Sequence, residues 1–105
     1  MTRAEGAVYQ NTTGKPLLLL VYVDTGVTAN TGTDIGAANL LIDSINPPLK
    51  EYGTTYSFNP SGGALISVEI GGLLVNFVPP GFYYQVKDES VATGFSDILL
   101  WFEIQ

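Results

Sequence analysis

The chain contains no cysteine and no histidine. Without thiols there can be neither a disulfide nor a thiolate metal site. Without imidazole the commonest acid–base catalyst and the commonest metal ligand are both missing, and a serine-type triad would lack its base. Basic residues are also scarce: Arg3, Lys15, Lys50 and Lys87 are the only four, against ten acidic ones, for a formal charge of −6. They are scattered along the chain, whereas neutralising phosphates needs clustered Lys and Arg, so nucleic acid and anionic membrane surfaces are excluded as partners. No apolar run approaches the ~20 residues that cross a bilayer. The start, Met-Thr-Arg-Ala-Glu-Gly, lacks the apolar stretch of a signal peptide, so a soluble chain is expected. There is no sustained 3.6-residue period, no repeat, no linker and no Gly-rich phosphate loop with its Lys. No cofactor is expected.

What remains is apolar and punctuated. Hydrophobic residues make up 46% of the 105 positions and charged ones 13%. A chain of this length forms a single domain, 1–105, with one modest core and little room for a deep cleft. So few charges are unusual for a small monomer with a large surface to solvate, which points to apolar surface covered by another chain. Gly and Pro recur about every ten residues between short segments rich in Val, Ile, Leu, Tyr and Phe. This is the pattern of an all-β fold: a small antiparallel, jelly-roll-like β-sandwich of seven to nine short strands. The strands are expected over 7–11, 17–25, 38–45, 54–58, 64–70, 73–78, 82–87 and 97–104.

Two turns have specific chemistry. In Val78-Pro-Pro-Gly-Phe82, Pro80 presets φ and Gly81 suits the positive-φ position. Gly71-Gly72 stands between two apolar runs, where a two-residue hairpin turn is expected. That turn would set Ile70 opposite Leu73, Val68 opposite Val75 and Ile66 opposite Phe77.

Two segments, 17–23 and 98–102, are apolar at odd and even positions alike. A sandwich strand buries only one face, so the second face needs another partner. Parity alone leaves open whether Leu17, Leu19, Val21 and Val23 or Leu18, Leu20 and Tyr22 look outward. Leu18, Leu20, Tyr22, Leu99 and Trp101 are the candidate oligomer interface. The polar segment 25–34 reads as a long exposed loop, with Thr28, Asn30, Thr31 and Asp34 as candidate partner contacts.

Three constellations could carry chemistry. Val21-Tyr-Val-Asp-Thr-Gly26 ends an apolar strand in Asp-Thr-Gly, which resembles the catalytic loop of retroviral-type aspartic proteases. There, two ~100-residue subunits pair their aspartates. This chain departs from that pattern, with Val27 where Ala or Ser usually follows and no Gly in the apolar strand near the C-terminus. Asp24, Asp34, Asp88, Glu89 and Asp97 could offer oxygens to calcium, but without EF-hand spacing. Tyr83, Tyr84 and Trp101 could stack on sugars, although aromatics more often fill cores and interfaces.

Three segments in order carry a wider resemblance: Val8-Tyr-Gln-Asn-Thr-Thr-Gly-Lys-Pro-Leu17, Asn76-Phe-Val-Pro-Pro-Gly-Phe-Tyr-Tyr-Gln-Val86, and Ile98-Leu-Leu-Trp-Phe-Glu-Ile104. Together they resemble the C-terminal knob domains of tailed-phage tail fibres and related virion surface proteins. The resemblance implies a small β-sandwich without catalytic residues, assembled as a homotrimer on the phage particle after synthesis in the host cytoplasm. It implies contacts with other virion proteins and recognition of a host receptor such as a surface glycan. The chain starts almost at its first strand, with no shaft of its own. That opens a second role, as a capsid decoration or cement protein of the phage head.

Overall fold

The computed structural model describes residues 3–28, 34–58 and 68–105. Among them there is no helix. Seven strands run in the order β1 (Tyr9–Gln10), β2 (Leu17–Val27), β3 (Ile35–Asp43), β4 (Glu51–Phe58), β5 (Val68–Val78), β6 (Tyr83–Asp88) and β7 (Gly94–Ile104). They form two antiparallel sheets, β1-β6-β3-β4 and β5-β2-β7, packed as a sandwich. The pairing is nested, with β2 against β7 in one sheet and β3 against β6 in the other. This is the wrapping expected of a jelly-roll-like chain.

The core follows from strand parity. β2 sends Leu17, Leu19, Val21 and Val23 inward, and β3 answers with Ala38, Leu40 and Ile42. Leu74 and Val78 from β5, Tyr84 and Val86 from β6, and Trp101 from β7 close the layer. Where β2, β3 and β7 cross at one end, the sheets are pinched backbone to backbone. A Cβ on Gly36 would strike the Gly26 backbone, and one on Gly94 would strike Ile35.

On the outer face of the four-stranded sheet, β3 is covered from within the chain. Ala37, Asn39, Leu41 and Asp43 face outward on β3 yet are all buried. At the Asp43 end the segment after β3 folds back: Asp43 accepts from the backbone N–H of Ser44 and Leu49, Ile42 donates to the Lys50 carbonyl, and Pro48 is buried; at the other end Ala37 donates its N–H to the Ser90 hydroxyl.

The structure corrects the expected hairpin at Gly71-Gly72. The two runs are halves of one strand, β5, which pairs with β2 continuously from Leu17↔Val78 to Val27↔Val68. The glycines make room rather than a turn. A Cβ on Gly71 would collide with the Tyr22 hydroxyl, and one on Gly72 with the side chain of Thr55 from the opposite sheet. The Pro-Pro-Gly turn does form as expected: Gly81 has φ +83° and Phe82 N–H donates to the Pro79 carbonyl at 3.1 Å.

Candidate functional site

Among the described residues, nothing covers the outer face of the sheet β5-β2-β7. Three rungs run across it: Phe77–Leu18–Ile104, Val75–Leu20–Phe102 and Leu73–Tyr22–Leu100. Every one of these nine side chains is apolar except for the Tyr22 hydroxyl. Leu18 and Leu20, flanked on both sides, are half-buried; Leu73, Phe77, Leu100, Phe102 and Ile104 are each more than half exposed. A ninefold apolar face with this exposure is what the mixed parity of β2 required once its odd positions turned inward.

Leu99 joins the face through a register shift. β7 pairs Leu100 with Tyr22 but Ile98 with Val23, so Leu99 is the extra residue of a bulge. A bulge sets two successive residues against one, and here Leu99 and Leu100 are both exposed, at 55% and 54%. Beyond it Ile98 packs on the core. Leaving out half-buried Leu18 and Leu20, the other eight of these ten side chains, at ~200 Å² each and about half exposed, amount to on the order of 800 Å², against roughly 300–600 Å² for the largest patch on a typical monomer. The patch ends sharply at a fourth rung, where Asp24 stands between Gly71 and Asp97.

Of the residues expected at an interface, Leu18, Leu20, Tyr22 and Leu99 lie on this face. Trp101 does not. It is 7% exposed and turned into the core opposite Val21, while the bulge lets Leu99, of the same parity, reach the outer face. Sequence reading passed over Leu73, Val75, Phe77, Leu100, Phe102 and Ile104 as interface residues. A hairpin at Gly71-Gly72 would pair the first three with Ile70, Val68 and Ile66; in the structure they pair with β2.

Trp101 instead belongs to a cluster at the sandwich edge. Glu103 accepts from Trp101 Nε1 at 2.9 Å, from the Tyr84 hydroxyl at 2.9 Å, and from Arg3 through both oxygens at 3.0 and 3.2 Å. Arg3 lies 4.2 Å above the Tyr9 ring, which meets Trp101 edge-on. Burial alone would raise the Glu103 carboxyl pKa, but the hydrogen bonds from Arg3, Trp101 and Tyr84 outweigh it and hold it below the ordinary value. Burial, and then the hydrogen bond to Glu103, push the Tyr84 phenol upward. Tyr84 is thus a core residue, not an exposed platform for a sugar; Tyr83 is half-buried.

A second polar knot joins the first two segments of the fibre-knob resemblance. Asn11 is 2% exposed. Its side-chain amide donates to the carbonyls of Lys15 and Val78, and its oxygen accepts from the Thr13 N–H and hydroxyl. Its backbone bonds Phe82 and Gly81 in both directions. The Asn-Thr-Thr-Gly turn and the Pro-Pro-Gly turn are therefore one unit.

The expected contact loop is shorter than its sequence suggests, because β2 continues through Thr25, Gly26 and Val27. Thr28 is exposed. Asp34 is not: it is 5% exposed and accepts from the Thr93 N–H and hydroxyl at 3.0 and 2.6 Å, so it anchors the loop rather than contacting a partner. Asn30 and Thr31 lie outside the described residues. Asp24, Thr25 and Gly26 sit inside β2, paired on both sides, instead of forming a loop at a strand end as a protease requires. Asp34, Asp88, Glu89 and Asp97 do not converge on a metal position with Asp24; no such cluster occurs among the described residues.

Among the described residues, one open recess of about 410 Å³ lies beside Leu41, Pro48, Leu49 and Lys87, and another of about 160 Å³ beside Arg3, Thr13 and Glu103. Comparison with known protein families, curated proteins and solved structures finds no match for this chain.

Proposed function

We propose that this chain is a non-enzymatic structural component of the surface of a tailed-phage particle. In this reading it is a knob-like sandwich at a tail fibre or tip that serves host-receptor recognition and works only as an assembled unit. One observation carries the proposal: the uncharged outer face of β5-β2-β7, of a size that a lone soluble domain rarely leaves in water. The sequence resemblance to fibre knobs supports the phage context and is the sole source of the number three for the assembly. The polar segment 25–34, whose described end Asp34 is held by Thr93, is a suitable place for receptor contact on the strength of its composition.

Antibody labelling of purified particles in the electron microscope tests the proposal. Label at fibre ends or the tail tip is the expected result. Label distributed over the head would replace it with capsid decoration, and particles without label would overturn it.

A further inference from the structure

We infer that the occupant of the apolar face is the same face of a second copy, stacked sheet on sheet with the strands of the two copies antiparallel. This rests on the reading above that the face is an assembly surface, and it names the partner and its orientation.

Size is the first argument. The exposed apolar area, on the order of 800 Å², equals what one partner contributes to a stable interface of standard size. Shape is the second. The face is three strands wide, roughly 10–14 Å at ~4.8 Å per strand, and nearly all of it carries Leu, Ile, Val or Phe. Two such faces meet across ~10 Å, the ordinary spacing of sheets filled by side chains of this size. Three faces this narrow, closed into a prism, would leave their middle strands only about 4 Å from the axis, too little for Leu18, Leu20 and Tyr22.

Charge is the third argument, and it selects the orientation. The chain carries −6, so two copies repel unless they meet where no charge lies. The face offers such a place, but its border does not: Asp24 and Asp97 stand side by side at one end only. A two-fold axis lying in the interface, across the strands at the Leu20 rung, sends these two acidic rungs to opposite ends of the dimer. Any arrangement with parallel strands, a three-fold one included, gathers four or six of these carboxylates at one level. The antiparallel stack also matches side chains by size. Leu73 meets the partner's Phe77, Tyr22 meets the partner's Leu18, and Phe102 meets its own counterpart.

The experiment joins mass to distance. Sedimentation equilibrium at micromolar concentration should return a dimer, and Phe102→Glu or Leu20→Glu should return a monomer with unchanged β-sheet circular dichroism. Because the chain has no cysteine, Asp97→Cys provides a unique spin-label site on the border of the face. Asp24 lies four residues beyond Leu20, so antiparallel stacking separates the labelled rungs by about 26 Å along the strands at ~3.3 Å per residue. A label–label distance of about 25–30 Å in a dimer supports the inference. A trimer, or a dimer with labels within about 15 Å, overturns it while leaving the face as an assembly surface. A wild-type monomer, or a Phe102→Glu protein that is folded and still dimeric, overturns both.

Discussion

Trp101 donates its indole N–H to the carboxylate of Glu103, two residues further along the same strand, at 2.9 Å. Both side chains point inward, while Phe102 between them points out. The last strand therefore serves two surfaces at once, a closed polar–aromatic cluster and an open apolar face.

The cluster makes stability depend on pH. Glu103 has a folded-state pKa below its ordinary value of 4.5. Its contribution is fully present above that value and is lost as pH falls through the lowered one. Glu103→Gln should cost about 1–3 kcal/mol at pH 7. Urea titrations of wild type and variant from pH 7 to pH 2.5 should converge at the acid end. Glu5, whose carboxyl is raised mainly by burial, has the opposite sign but is common to both proteins and cancels in the difference.

Adjacent positions on β7 should respond in opposite ways. Trp101→Ala opens the core and should cost about 3–5 kcal/mol in chemical denaturation. Phe102→Ala removes a side chain that is 54% exposed in the protomer. It should shift protomer stability by less than about 1 kcal/mol while weakening self-association measured by sedimentation.

The two glycines of β5 should differ. Gly71→Ala meets the far end of the Tyr22 side chain, which can swing away over an open face, so a small effect is expected. Gly72→Ala meets the Cβ and hydroxyl of Thr55, a stiff β-branched residue between the sheets. It should cost about 1–3 kcal/mol, read as a lower thermal midpoint.

Asn11→Ala removes a buried amide that donates to the Lys15 and Val78 carbonyls; the Thr13 hydroxyl remains only for Lys15. About 2–4 kcal/mol should be lost. Asn11→Asp should fail similarly, because it replaces the donor facing Lys15 and Val78 with an acceptor. Hydrogen exchange should show the Gly81 and Phe82 amides opening in both variants.

In the loop, Thr28→Ala should be neutral and Asp34→Ala should cost about 1–3 kcal/mol. Thermal denaturation of the two variants separates a solvent-facing residue from an anchoring one.

Much of the fold was legible in the chain. Short β-branched and aromatic segments between Gly and Pro can bury themselves only as strands, and Pro80-Gly81 specifies its own turn by φ preference alone. The doubly apolar stretch 17–23 stated that β2 would have a second apolar face. That conclusion needs no coordinates, because alternation with period two exposes one set whichever way the strand sits.

Tertiary structure decided the rest, wherever two readings had the same local physics. Gly71-Gly72 fits a hairpin turn and a close approach equally well, and only the neighbours Tyr22 and Thr55 distinguish them. Leu99 and Trp101 share a parity yet take opposite faces because of a single bulge at Leu99, which local sequence does not announce because it arises from the pairing of β7 with β2. Asp34 has the composition of an exposed loop residue and is buried because Thr93, 59 positions away, supplies its donors. Composition and period determined that this protein is a sandwich with apolar surface to spare. Long-range register determined which side chains form that surface, because strand pairing joins residues that sequence keeps far apart.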